Sequence, residues 1–234
     1  MGGKRSAASI WDWCLAVLPI TAVITYLVTL LSCNLVTHSL SSQGHLLAIS
    51  DLSSGSAYIY FIVGFALLLP QILLIIIGRL QFLLQTQNLI NHIVLYIFHI
   101  VILIPFLFML IVSFVSGGSR SDAHIQSIYG ILGSIALYCL LHTIAIFYLY
   151  IRRASGSQYV QIGLPIYFVV CSLLLIGSFI AWIQTKGIIV GYIAATIPFL
   201  YFLGFVPQFW TRARSRARYS IAAKANKMLD SLNG

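Results

Sequence analysis

Few residues in this chain are equipped for chemistry, and several of them fall in two polar loops on the same side of the expected bundle. His38, His45, Ser50, Asp51, Asp122 and His124 fall between apolar runs. They are the one set in which a nucleophile, an acid and an imidazole could converge. A zinc-dependent intramembrane hydrolase would need three protein ligands and a water. No H-x-x-x-H or H-E-x-x-H spacing is present, so neither a catalytic residue nor a metal ligand is assigned and no cofactor is expected. The four acids are Asp12, Asp51, Asp122 and Asp230, with no glutamate, which leaves little material for paired-carboxylate catalysis. Two histidines, His99 and His142, lie within apolar runs, where an ionisable group is expensive enough to suggest function. A hydrogen bond across helices, for His142 to a hydroxyl such as those of the first span, is the simpler reading. No apolar run contains a lysine for Schiff-base chemistry or a ladder of arginines for voltage sensing.

The third group is basic. Arg212, Arg214, Arg216, Arg218, Lys224 and Lys227 follow the last apolar run. At about 1 kcal/mol per base near an anionic surface, they are expected to bind anionic headgroups. Their alternation from 212 to 218 places them on two helix faces, which suits an irregular or interfacial segment better than a single stripe.

The elements that must position these residues are transmembrane helices. Across 234 residues, 60% are hydrophobic and only 7% charged, and mean hydropathy is +1.00. Soluble domains carry about 25% charged residues. Barrel strands would alternate in polarity over about ten residues, whereas these runs are unbroken and near twenty. The fold class is therefore an all-α, six-span bundle, with spans near 11–33, 58–79, 93–116, 128–151, 161–183 and 188–210. Residues 1–210 form one membrane domain, and 211–234 a basic tail. Lys4, Arg5, Arg79, Arg152, Arg153 and the six tail bases fall on one side, with Arg120 and Lys186 on the other. Eleven against two places both termini in the cytosol. The first run is too long for a signal-peptide core, so it is retained as a span.

Packing cues lie inside the spans. Thr21, Thr25 and Thr29 form a hydroxyl stripe, Gly187, Gly191 and Ala195 a small-residue stripe, and Gly177 with Ala181 a shorter one. Pro70, Pro105, Pro165 and Pro198 are expected to kink their helices. Cys14, Cys33, Cys139 and Cys171 lie in or at the ends of spans and have no loop partner to staple. Cys14 is a packing residue with palmitoylation as the alternative, and Gly2 opens a myristoylation pattern. Nucleic acid is not an expected partner, and no N-x-[ST] glycosylation site occurs.

Ile49-Ser50-Asp51-Leu52-Ser53-Ser54-Gly55 reads as a turn whose side chains cap the second span at Ser53, Ser54 or Ser56. This segment resembles the I-S-D-x-G motif of the damage-regulated autophagy modulator (DRAM) family, related to the FRAG and PGAP proteins of GPI-anchor remodelling and the yeast Suppressor of Four Kinase proteins. Leu47 stands where that family carries a proline, and Gly55 falls two positions late. Tyr201-Phe202-Leu203-Gly204-Phe205-Val206-Pro207-Gln208-Phe209 is similar to the aromatic end of the family's sixth span. Gly191-Tyr192 replaces an acidic-aromatic pair there, and Gln208 replaces an acid.

The resemblance implies a non-enzymatic scaffold or regulator of membrane lipid homeostasis, autophagy- or lysosome-related, with a membrane or kinase-complex protein partner. Its location would be an endomembrane (lysosome, Golgi or ER) or the plasma membrane. A lipid-remodelling factor or intramembrane hydrolase built on the outer Asp and His residues, and a transport pathway past His142, are the alternatives.

Overall fold

The computed structural model describes residues 2–40, 49–52, 55–87, 89–114, 122–152 and 162–233. Among them every regular element is helical, and six stretches are long and apolar enough to cross a membrane. In order come α1 (Gly2–Leu40), α2 (Ile49–Leu52), a 3-10 turn (Gly55–Ala57), α3 (Tyr58–Thr86), α4 (His92–Val101), α5 (Leu103–Phe114), α6 (Asp122–Ile151), α7 (Gly163–Thr185), α8 (Ile188–Leu203) and α9 (Val206–Asn233). The six spans expected from the sequence are present, with shifted boundaries.

Prolines account for the breaks within spans. Pro105 cannot donate to Val101, so the third span breaks between α4 and α5 around Ile102. Pro207 likewise leaves Leu203 without its i+4 donor, and the sixth span breaks there. Gly204 and Phe205 bridge the gap with N–H donations to Tyr201 and Phe202, 3.1 and 3.0 Å long, which skip only three residues. Pro207 then sits in the first turn of α9, where a missing N–H costs little. Pro165 also lies in a first turn, that of α7, so it opens that helix instead of kinking it. Pro70 and Pro198 lie inside α3 and α8, which run on through them. The domain boundary expected at 210 falls inside α9, which runs from the bundle into the tail as one helix.

The second span extends past Arg79 to Gln85. Arg79 is not a loop base that orients the chain. Its side chain is wholly buried, and apolar sequence continues on both sides of it. The charge asymmetry survives its removal from the count, at ten against two.

Helix association in lipid depends on close approach and interhelical hydrogen bonds, since lipid tails are as apolar as the side chains they would replace. The threonine stripe of α1 meets α3 in this way. Thr25 and Thr29 donate to carbonyls one turn back at 2.9 and 2.7 Å, and Thr25 accepts from Gln71 Nε2 at 3.1 Å. A Cβ on Gly64 would overlap the Thr29 side chain, so a hydrogen is what lets α1 and α3 touch. Across the bundle, Gly191 of the small-residue stripe lies against the Trp182 indole and joins α8 to α7; a Cβ there would stand 3.0 Å from Nε1.

At the end away from the basic residues, Lys186 takes a left-handed backbone with φ of 52° between α7 and α8. Its ammonium lies 4.5 Å from the centre of the Tyr129 ring. Ala57 precedes α3 with no side-chain cap, so the serine cap expected at Ser56 is not formed; Ser53 and Ser54 lie outside the described residues. The backbone of the Ser50–Asp51 segment is the short helix α2, and Gly55 opens the 3-10 turn. The side chains of Ser50 and Asp51 lie outside the described residues.

Candidate functional site

Two connected polar clusters lie at the basic end of the bundle. The inner one is built on α3, α6 and the α8–α9 junction. Arg79 donates from Nε to His142 Nε2 at 2.8 Å, and from Nη1 to Gln208 Oε1. An imidazole nitrogen that accepts from a guanidinium carries no proton. His142 is therefore held neutral with its proton on Nδ1, which donates to Tyr201 Oη at 2.6 Å. Tyr201 Oη gives its own proton to the Cys139 carbonyl at 3.0 Å, and Thr143 Oγ1 lies 3.0 Å from Tyr201 Oη and 2.8 Å from Ser172 Oγ. His142 is thus bonded to the sixth span and to Arg79, not to the hydroxyls of the first.

A shell of aromatic rings encloses this chain of bonds. Phe168, Tyr138, Tyr201 and Phe205 pack on the His142 ring with centroids 5.1–5.9 Å away. The Arg79 guanidinium rests 4.8 Å from Phe205 and 5.2 Å from Phe82, a cation–π setting that offsets part of its desolvation. His99 is bonded elsewhere. It is buried on α4, and its Nδ1 bonds the Leu95 carbonyl one turn back at 2.8 Å.

The outer cluster ties α1, α3 and α9 together. Asp12 is buried, and its carboxylate lies 2.9 Å from Arg212 Nε and 2.8 Å from Arg216 Nη1. Gln85 Oε1 accepts from both of the same arginines, from Arg212 Nη2 at 2.7 Å and Arg216 Nη2 at 2.9 Å. The tryptophans flanking Asp12 add to the junction: Trp11 Nε1 donates to Gln81 at 3.0 Å, and Trp13 meets Trp210 edge-on at 4.9 Å. The Phe82 ring joins the two clusters, since Arg212 Cζ is 5.9 Å from its centre and Arg79 Cζ 5.2 Å.

The alternating arginines are therefore divided by helix geometry. Arg212 and Arg216, one turn apart, face the bundle and are held by Asp12 and Gln85. Arg214 and Arg218 are exposed on the other side, Arg214 with its guanidinium 5.2 Å from the Trp210 ring. Lys224 and Lys227 lie further along α9, and their side chains fall outside the described residues, as do those of His38, Asp122 and His124 and the whole of His45. The outer-loop set is accordingly not assembled into a site by anything described. Cys14 is exposed, while Cys33, Cys139 and Cys171 are buried and free.

Residue type and spacing do not mark Asp12, Arg79, Gln85, Tyr201 and Gln208 as members of one site. Two of them do carry a signal: an arginine with apolar runs on both sides, and an aspartate inside the first span opposite arginines spaced four apart. No family model, curated protein or solved structure matches the chain.

Proposed function

We propose that this protein is a non-enzymatic membrane scaffold that regulates lipid homeostasis from the cytosolic face of its membrane. The observation that carries the reading is the division of the arginines on α9. Arg212 and Arg216 are engaged by Asp12 and Gln85, which fixes the angle at which the helix leaves the bundle. Arg214 and Arg218 are left exposed on its other side. The helix continues from Arg218 to Asn233, about 22 Å at 1.5 Å per residue, so the tail extends from the bundle as a helix.

Such a helix suits contact with anionic headgroups and, further along, with a membrane or kinase-complex protein. The DRAM-like segments of the sequence agree with this role and with a location in an endomembrane or the plasma membrane. The surroundings of His142 also favour it over a transport pathway, because both ring nitrogens already have partners within a packed aromatic shell.

The test is made in cells that carry a fluorescent sensor of anionic lipid. There, Arg214→Gln/Arg218→Gln protein at normal abundance and targeting should redistribute that lipid relative to wild type. An unchanged sensor pattern would contradict the proposal.

A further inference from the structure

We propose that Ser215 is a phosphorylation site for a basic-directed serine kinase, and that its phosphate releases α9 from two contacts, the Asp12 clamp and the anionic membrane surface. The second of these contacts rests on the scaffold reading; the first does not.

The first observation is the charge pattern. The segment runs Arg212-Ala213-Arg214-Ser215-Arg216-Ala217-Arg218, so a base stands one and three residues before the serine and one and three after it. Kinases that select substrates by charge recognise bases at fixed offsets from the target hydroxyl. Ser215 is exposed, as are Arg214 and Arg218, so the hydroxyl and two of its four bases are presented outside the bundle. Kinases bind such segments extended, which here needs only local opening of α9 around this turn.

The second observation is where a phosphate on this serine would lie. Residues three apart are neighbours on a helix surface, and Ser215 is three from Arg212 and three from Arg218 on α9. One neighbour belongs to each arginine pair. Arg212 lies 2.9 Å from the Asp12 carboxylate, and Arg218 is on the exposed side. Ser215 therefore stands on the seam between the arginines that hold the helix and those left to meet headgroups.

The chemistry follows from that position. Ser215 Oγ attacks the γ-phosphorus of ATP, the bond from that phosphorus to the ADP oxygen breaks, and the hydroxyl proton passes to the kinase's base. The product carries about −1.5 to −2 charges near neutral pH and three acceptor oxygens. Arg212 and Arg216 share a single carboxylate, that of Asp12, contributed by another helix. The phosphate offers Arg212 a larger charge from within its own turn, in the charge-assisted geometry that guanidinium favours. On the exposed side the same charge formally cancels Arg214 and Arg218 and is repelled by anionic headgroups, the usual form of an electrostatic switch.

The test uses the full-length protein in nanodiscs of phosphatidylcholine doped with phosphatidylserine. It is treated with Mg-ATP and the lipid-independent catalytic fragment of protein kinase C, which reads bases on both sides of its serine. Mass spectrometry should map the phosphate to Ser215, and Ser215→Ala should abolish that labelling. Phosphorylated protein should exchange its amide hydrogens over residues 212–218 about tenfold faster or more, as a charge-assisted bond to Asp12 is lost. In Asp12→Asn exchange should already be fast and the phosphate should add little, whereas a phosphate that merely frayed the helix would accelerate both proteins alike. Gln85→Ala, which weakens the same clamp, is the second variant and should show a reduced increment. Phosphatidylserine retained after re-extraction, counted by native mass spectrometry, should fall on phosphorylation to the level of Arg214→Gln/Arg218→Gln.

No phosphate on Ser215 would overturn the site. Unchanged exchange in wild type, or equal acceleration in wild type and the clamp variants, would overturn the release of the clamp. Lipid retention that falls in Arg214→Gln/Arg218→Gln but not on phosphorylation would overturn the release from the membrane. If Arg214→Gln/Arg218→Gln itself retains as much phosphatidylserine as wild type, the scaffold reading fails separately, and the labelling and exchange results still decide the site and the clamp.

Discussion

Arg79 is the residue on which the interior turns. A guanidinium at 0% exposure stays inside a bundle only because each face of it is used: His142 and Gln208 accept from its edge, and Phe82 and Phe205 lie against it. Removing one partner of a buried charged network typically costs about 3–5 kcal/mol, because the group left behind stays desolvated. Arg79→Met should therefore strongly lower the unfolding midpoint in detergent, and Arg79→Lys should recover only part of it, since an ammonium cannot reproduce the fork. Arg79→Met and His142→Leu should be less than additive, with a coupling of about 1–3 kcal/mol, since either change alone breaks the same bond. Additive losses would show that the two residues act separately. The sequence marks His142 as exceptional and points to a hydrogen-bonding role, but it does not disclose the partners. Positional charge counting makes Arg79 a loop base because it cannot tell a base at the end of a span from one buried near it. The partner Gln208 is 129 residues away, a separation that no local pattern spans.

At the scale of helices, the packing stripes are legible in the sequence and their partners are not. The four-residue recurrence of Thr21, Thr25 and Thr29 marks a face, and the structure sets that face on α3. What the stripe does not disclose is the glycine opposite. Gly64→Ala should destabilise the protein by about 1–3 kcal/mol, because the new methyl collides with Thr29. Thr29→Ala in the same chain should return most of that loss by removing the hydroxyl and methyl that collide. If the double variant unfolds as early as Gly64→Ala alone, the α1–α3 contact is not set at this pair. The prolines divide for a physical reason. Pro105 follows a helix, α4, whose Val101 carbonyl it leaves without a donor, so its span breaks there, whereas Pro165 stands at the start of its span, in the first turn of α7, where a missing N–H costs little. The alternation of the arginines does mark two faces of α9. An irregular segment does not follow from it, because the buried Asp12, distant in sequence, gives one of those faces something to bind.

At the scale of the whole molecule, composition alone is sufficient for the six-helix membrane architecture, since runs near twenty residues with few charges have no other stable form in lipid. The orientation rests on charge. If ten basic residues against two govern insertion, protease added outside sealed right-side-out membranes should spare a tag at either terminus and cut a tag placed in the loop near residue 45. Loss of the terminal tags would reverse the arrangement.

The central claim is that α9 leaves the bundle as a fixed helix whose bundle-facing arginines hold it and whose exposed arginines meet anionic lipid, and trypsin reads this directly because it cuts at the bases concerned. With the full-length protein reconstituted tail-outward, cleavage after Arg214, Arg218, Lys224 and Lys227 should be slower on vesicles containing anionic lipid than on phosphatidylcholine alone. The protection should fade as salt shortens the Debye length from about 30 Å at 0.01 M to about 8 Å at 0.15 M. Cleavage after Arg212 should be slow in both and should accelerate in Asp12→Asn, where the clamp is lost. Cleavage at all of these positions at equal rates, indifferent to lipid charge, salt and Asp12, would contradict the account.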